Sequence, residues 1–140
     1  MAGPGGPTPR LPLILARELA SNLATPVFLM DERGMLVYWN DAAELLIGRS
    51  LAEVGELSGA EFGEILQLRD VDGSPLRRRD TPTAIAFTDQ RAAHRAYRAT
   101  GYDGAEHALE VTAFPLFGEG HQMHGVVTVF WPSSTVPGSD

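Results

Sequence analysis

Apolar residues recur at every fourth position near the start of the chain, at Leu11, Leu15, Leu19 and Leu23. This spacing places them on one face of a helix, so the pattern predicts a helix over residues 11–23. Pro12 is tolerated in the first turn, because its missing N–H would have no partner within the helix. Pro26 ends the pattern, since the residue before a proline is disfavoured in helical conformation.

Two short apolar segments follow and predict a hairpin. They comprise residues 27–30 (VFLM) and 35–39 (MLVYW), and the polar link between them ends in Gly34. Two strand-like segments joined by a short polar link with glycine are typical of antiparallel strands and a tight turn.

The middle of the chain predicts several short helices. Asn40 and Asp41 begin the first, in which Asp41 and Glu44 have the spacing of a capping box, and Gly48 ends it. Others are expected near residues 51–54, 59–66 and 82–88.

Strand-like segments dominate the end of the chain, at residues 91–100, 105–117 and 125–131. The sequence GYDG separates the first two and predicts a second hairpin. The resulting order is a helix, two strands, several short helices and three strands. It favours an α+β fold with an antiparallel sheet and helices on one face. We expect one domain over residues 11–131, between a disordered tail (1–10) and a flexible tail (132–140).

Composition narrows the function classes. The formal net charge is −7, and an acidic domain repels phosphate groups, so nucleic acid is not an expected partner. The lack of cysteine excludes disulfides, cysteine nucleophiles and photochemistry through a cysteinyl adduct. No apolar run could span a bilayer, and the first residues lack a signal-peptide pattern. A cytoplasmic protein without membrane contact is therefore expected.

The polar residues form no catalytic or metal-binding pattern. No serine lies in Gly-x-Ser-x-Gly, and no glycine-rich loop with lysine is present to hold phosphate. His94 is predicted on the outer face of the sheet, as a partly exposed side chain near Glu110. His121 and His124 lie in a glycine-flanked segment, which favours a solvated loop over a chelating pair. We therefore predict no enzyme and no metal site.

Four segments together resemble PAS domains. The first is PVFLMDERGMLVYWNDAAELLIG (26–48), in which Asp31, Gly34, Asn40, Ala43 and Gly48 match the family pattern. DGSPLRRRDTPTAIAF (72–87) resembles the central loop and helix of bacterial PAS domains. YDGAEHALEVTAFPL (102–116) and HGVVTVFW (124–131) resemble the closing strands.

The resemblance implies a five-stranded antiparallel sheet flanked by short helices. It also implies a module that senses small molecules, cofactors, redox state or light, or that mediates dimerisation and signals to a kinase, cyclase or regulator. Residues 59–67 lack the cysteine of flavin photosensors, and residues 82–88 lack a histidine that could bind haem. The cofactor is left unknown.

Strand alternation assigns residues to the two faces of the sheet. The inner face, under the helices, is predicted to carry Tyr97, Ala99, Leu109, Val111, Ala113 and Val127. The PAS pattern adds Phe28, Met30 and Leu36. These residues would form either an ordinary core or the lining of an apolar cavity for a flat or fatty ligand.

The outer face is also predicted to be apolar, with Leu29, Val37, Trp39, Phe114, Val126 and Phe130. So many exposed apolar side chains are unfavourable, so something must cover them. We expect the 11–23 helix to do so and to take part in a homodimer together with Leu29, Trp39 and Phe130.

Three functions remain open at this point. The first is a sensory module with a bound small molecule, and the second is an interaction module with a filled core that docks to a kinase or transcriptional regulator. A small enzyme is the third and is disfavoured by the lack of a catalytic pattern.

Overall fold

A computed structural model describes residues 11–133. Its α-helices in this range are α1 (Leu11–Ser21), α2 (Asp41–Ile47), α3 (Leu51–Val54), α4 (Gly59–Ile65) and α5 (Pro82–Asp89). Its strands are β1 (Val27–Asp31), β2 (Leu36–Trp39), β3 (Ala93–Thr100), β4 (Glu106–Phe117) and β5 (Met123–Pro132). Short 3₁₀ helices lie at Arg78–Asp80 and Glu119–His121. The predicted tail 1–10 and most of the predicted tail 132–140 lie outside the described residues.

The strands form one antiparallel sheet in the order β2-β1-β5-β4-β3. The two predicted hairpins, β1–β2 and β3–β4, form its two sides, and β5 lies between them, paired with β1 and β4. Helices α2 to α5 lie between the two hairpins in the chain and supply the layer on the inner face. The predicted fold class is confirmed. Within residues 11–133, none of the helices has the length and hydropathy needed to cross a membrane.

The β1–β2 turn depends on Asp31 and Gly34. One carboxylate oxygen of Asp31 accepts hydrogen bonds from the backbone N–H groups of Arg33 and Met35, at 2.9 and 3.0 Å. Gly34 has φ of 82°, in the left-handed region that glycine adopts without strain. The local sequence therefore specifies this hairpin, as the polar link predicted.

The inner face and the helices α2 to α5 enclose the main core. Its aromatic centre is the ring of Phe62 from α4, which stacks on Trp39 at 5.4 Å and meets Phe28 edge-on at 5.5 Å. Phe130 from β5 completes the group, 6.0 Å from Phe28. Such aromatic contacts add to the free energy gained from burial.

Trp39, Val126 and Phe130 were predicted on the outer face, and this is wrong, because all three are buried in the main core. For Trp39 the reason is a bulge between β1 and β2. Leu36 pairs with Met30 and Tyr38 pairs with Leu29, so Val37 is an extra residue in β2. One extra residue reverses the alternation, and Leu36 and Trp39 therefore face the same side.

Val127 was predicted on the inner face, and this is also wrong. It packs in a second cluster on the outer face, with Ala20, Val27 and Leu29. The inner residues of β5 are Val126, Thr128 and Phe130, which leaves Val127 and Val129 on the other side. Alternation could not decide between the two sets, because helices cover both faces of this central strand and both sets are apolar.

Helix α1 covers the second cluster with a face other than the predicted leucine stripe. Leu13, Ala16 and Ala20 pack toward the sheet, whereas Leu11, Leu15 and Leu19 are 60%, 58% and 63% exposed. The small alanines and Gly125 of β5 allow a close approach. A Cβ on Gly125 would lie 2.8 Å from a methyl group of Leu13. The predicted helix is present, but its most apolar face points away from the sheet.

Asn40 connects α1, β1 and α2. Its side-chain oxygen accepts hydrogen bonds from the backbone of Val27 and Ala43, at 3.1 and 3.0 Å. Its side-chain nitrogen donates to the carbonyl groups of Ala20 and Thr25, both at 2.9 Å. Asn40 is therefore the N-cap of α2, and the capping box expected from Asp41 and Glu44 is wrong because Asp41 is already the first helical residue.

Replacement of Asn40 by alanine should lower the free energy of unfolding by about 2–4 kcal/mol. The change leaves buried donors and acceptors of three elements unpaired, each at a cost of about 1–3 kcal/mol. Asn22→Ala is the matched control, because the Asn22 side chain makes one exposed hydrogen bond, to Glu18. Urea unfolding of both variants measures the difference, and equal losses would contradict the connecting role of Asn40.

Candidate functional site

A cavity of about 230 Å³ lies between helices α4 and α5 and the inner face of the sheet. Most of its lining is apolar. The residues are Phe28, Met30, Arg33, Gly34, Ser58, Gly59, Ala60, Phe62, Gly63, Leu66, Leu68, Arg78, Thr81, Thr83, Ala84, Phe87, Thr88 and Tyr97. Arg33 and Arg78 are exposed residues, so the cavity reaches the protein surface where they lie.

Small residues on the two helices create this space. Gly59 and Gly63 of α4 and Ala84 of α5 bring no bulk to the lining. At Gly59 a Cβ would lie 2.7 Å from the sulfur of Met30, so a larger residue would displace the Met30 side chain. The cavity is therefore a consequence of residue choice along both helices.

The two helices are held at their N-termini by capping residues that also line the cavity. Ser58 and Glu61 form a reciprocal capping box on α4, and the hydrogen bonds from the backbone and side chain of Ser58 lower the pKa of Glu61. Thr81 caps α5 through its hydroxyl, which accepts from the backbone of Ala84. The wall of the site is thus fixed by local hydrogen bonds.

A smaller cavity of about 30 Å³ lies deeper in the core. Phe28, Phe62, Leu66 and Tyr97 line both spaces, so these side chains separate them. Movement of Phe62 or Leu66 would join the two cavities. The Nε2 atom of His107, which lines the smaller one, is buried and has no hydrogen-bond partner within residues 11–133.

Polar groups are few in the larger cavity. The hydroxyl groups of Thr83 and Thr128 are 2.7 Å apart and satisfy each other. Tyr97 is a buried residue, and burial raises the pKa of its phenol. Within residues 11–133 its hydroxyl forms no hydrogen bond with a protein group. The Tyr97 hydroxyl is therefore available to a ligand or a water molecule.

Comparisons with known proteins identify the architecture. A family model described as PAS fold matches residues 15–59, and no curated protein matches. The PAS domain of Bordetella pertussis BvgS is similar with a TM-score of 0.59 and 16% identity, over 86% of this chain and 84% of that one.

Two further solved structures agree. The PAS domain of nitrogen regulation protein NR(II) from Vibrio parahaemolyticus has a TM-score of 0.60 and 19% identity, over 85% of this chain and 98% of that one. The PAS domain of the fruit-fly ELK potassium channel has a TM-score of 0.64 and 12% identity, over 86% and 95%. This chain is a PAS-fold domain. The resemblance seen in the sequence is confirmed, and PAS domains are modules of sensory signal transduction.

The predicted site residues of this PAS-fold domain divide into groups. Phe28, Met30 and Tyr97 line the larger cavity, and Phe28, Tyr97, Ala99 and Leu109 line the smaller one. Leu36, Val111 and Ala113 belong to the main core but line neither space. Val127 lies on the opposite side of the sheet. Whether any of them contacts a ligand stays a prediction.

The helix residues of the lining were missed by the sequence analysis. Gly59, Gly63 and Ala84 carry no chemical signal, and a run of three arginines such as Arg77, Arg78 and Arg79 is by sequence alone most simply a solvated loop. The signal available was Gly63 in the interior of α4, since glycine in a helix interior is unfavourable unless close packing requires it. Packing between helices and sheet decided the rest.

The histidine interpretation can also be compared with the structure. His94 lies on the outer face 2.7 Å from a carboxylate oxygen of Glu110, as predicted, and its ring is 6.0 Å from that of Trp131. Residues 11–133 contain no group of three or more acidic or histidine side chains placed to bind a metal ion.

Substitution of Tyr97 by phenylalanine should leave the ligand-free domain as stable as before, or more stable by up to about 1 kcal/mol. The change removes a hydroxyl at the cavity that makes no hydrogen bond with the described residues, so no protein contact is lost, and a polar group without a partner does not add to stability. Tyr38→Phe, on the other side of the sheet under Arg17, is the control. A loss above about 1 kcal/mol for Tyr97→Phe alone would show that the hydroxyl is bonded in the free protein.

Proposed function

We propose that this domain is a sensory module that binds a small, mostly apolar molecule in the cavity between α4, α5 and the sheet. The observation that carries the proposal is an apolar cavity lined by the buried residue Tyr97, whose hydroxyl makes no hydrogen bond with the described residues. A concave apolar site with few polar groups is the common form of a small-molecule site. The volume of about 230 Å³ lies below the range of about 300–1,000 Å³ for drug-sized ligands, which favours a small one.

The position of the cavity also suits a signalling role. Phe28 and Met30 of β1 contact the cavity from one face of the sheet, and Val27 and Leu29 of the same strand contact the α1 side. A ligand that shifts β1 would therefore shift the support of α1. The cytoplasmic location and a separate kinase or regulator as receiver stay predictions.

Native and denaturing mass spectrometry of the purified protein test the ligand. We expect a non-covalent mass on the wild-type protein and its loss in Ala84→Phe, which fills the cavity from α5. Ala60→Leu fills the cavity from α4. It is a second cavity-filling variant, which tests the same prediction if Ala84→Phe does not fold. Ala92→Phe, at an exposed position between α5 and β3, is the control and should keep the mass.

Two negative results together would contradict the proposal of a ligand site. If the wild-type protein carries no extra mass, and a fragment screen followed by NMR shifts no resonance next to Phe62 or Tyr97, the cavity is not a ligand site. The domain would then be an interaction module, the second function considered from the sequence.

We also propose that the domain forms a homodimer through α1. The predicted dimer residues Leu29, Trp39 and Phe130 are buried within one subunit and are not available. An exposed apolar stripe lies instead on α1, where Leu11, Leu15 and Leu19 are exposed with Ile14 beside them. An exposed stripe of this kind is unfavourable in water unless it is covered.

A second copy of α1 is the occupant that fits this stripe. Residues spaced by four are self-complementary in an antiparallel pair, where a two-fold axis near Leu15 brings Leu11 of one subunit beside Leu19 of the other. The nearby cation, Arg17, is held 5.0 Å from the ring of Tyr38 and so points to the subunit's own sheet. The residues of the stripe carry no charge themselves, and the exposed Glu18 lies beside them on α1.

The double variant Leu15→Glu/Leu19→Glu should sediment as a monomer at concentrations where the wild-type protein is a dimer. Glutamate preserves helix propensity but places like charges in the pair. Leu45→Glu is the matched control, because Leu45 on α2 is 81% exposed and lies outside the stripe. A monomeric wild-type protein, or a double variant that stays dimeric, would contradict the proposal.

A further inference from the structure

Arg78 differs from most arginines of this domain in having no partner. Five other arginines in residues 11–133 lie close to a carboxylate: Arg33, Arg77, Arg91, Arg95 and Arg98. Arg69 donates to a backbone carbonyl, and Arg17 and Arg49 lie over tyrosine rings. Within the described range only the side chains of Arg78 and Arg79 lack such a contact.

Of these two, Arg78 lines the cavity and Arg79 does not. The aliphatic part of Arg78 passes over α4, since a Cβ on Gly63 would lie 3.8 Å from its Cγ and Cδ atoms. Its backbone carbonyl accepts a hydrogen bond of 2.8 Å from the hydroxyl of Thr81, the residue that caps α5. The arginine is thus anchored at the cavity while its guanidinium group stays unpaired.

The charge of the cavity lining is opposite in sign to the net charge of the chain. The chain has 18 acidic residues against 11 basic ones, yet the described residues of the cavity lining include two arginines and no carboxylate. Arg33 is paired with Asp31 at 3.6 Å and its side chain is 76% exposed. Arg78 is therefore the cation that an anionic ligand would meet.

We infer that the ligand is a small apolar carboxylate, whose carboxylate pairs with Arg78 and whose apolar body lies against Phe62, Leu66 and Phe87. The inference rests on the proposed function, because it names the ligand class of the same cavity. A guanidinium group binds a carboxylate through two parallel hydrogen bonds. One free guanidinium matches one negative charge, and the apolar lining matches an alkyl or aryl body.

Isothermal titration calorimetry with two probe pairs tests the ligand class. The pairs are octanoate with octan-1-ol and 4-phenylbutyrate with 4-phenylbutan-1-ol, so that each acid has a neutral counterpart of the same body. We expect at least one acid to bind the wild-type protein about tenfold more tightly than its alcohol, the ratio of one charge-assisted contact at a partly exposed site.

Arg78→Gln should remove this preference and leave alcohol binding unchanged. Arg79→Gln is the matched control, since it removes the same charge from the neighbouring residue outside the lining, and it should keep the preference. Equal losses in the two variants would overturn the inference, because they would show general attraction and not a contact.

The outcomes separate this inference from the proposed function. If acid and alcohol bind equally and Ala84→Phe abolishes both, the cavity binds ligands but the carboxylate inference is wrong. If no probe binds the wild-type protein, the carboxylate inference is likewise overturned, and mass spectrometry of the purified protein decides the proposed function independently.

Discussion

The hydrogen bonds of the Asn40 side chain are the constraint on which the arrangement of this domain depends. One amide group caps α2, accepts a hydrogen bond from the start of β1 and donates one to the carbonyl of Ala20 near the C-terminal end of α1. Because these three elements lie in different layers, their relative positions follow from a single buried side chain. The position of α1 over the outer face, and of α2 over the inner face, is set at this junction.

A sheet covered on both faces is the next consequence. The central strand β5 contributes Val126 and Phe130 to one cluster and Val127 to the other. Its two apolar faces require two covering layers, and α1 provides the second with the narrow face of Leu13, Ala16 and Ala20. Since the narrow face suffices for the sheet, the broader leucine stripe remains exposed. This geometry is why the proposed dimer uses the helix and not the sheet.

The cavity and the core share the same inner face but differ in their covering residues. Where α4 presents Phe62, the ring fills the space against Trp39 and Phe28. Where α4 and α5 present Gly59, Gly63 and Ala84, the space stays open. Phe62, which fills the core, and Gly63, which leaves space, are consecutive residues of α4. Single residues therefore set the boundary between core and cavity. Arg78 at the open end then gives the cavity its charge.

Much of the fold and a part of the site could be predicted from the residues alone. The end of α2 at Gly48, the Asp31–Gly34 turn and the alternation of β3 and β4 are local features. On those two strands the outer face is polar enough for alternation to assign Tyr97, Ala99, Leu109, Val111 and Ala113 correctly to the inner face. Three of the nine predicted site residues, Phe28, Met30 and Tyr97, line the larger cavity.

The sequence by itself therefore determined the order of elements, the fold class and the antiparallel pairing within the two hairpins. These features depend on contacts between neighbours in the chain. The tertiary structure alone decided which way Trp39 and Val127 point, which face of α1 meets the sheet and where the core leaves a cavity. Each of these depends on a bulge or on packing between distant elements. Arg78 becomes informative only when the fold shows that Asp80 is paired with Arg77 and that Arg78 lines a cavity without a carboxylate.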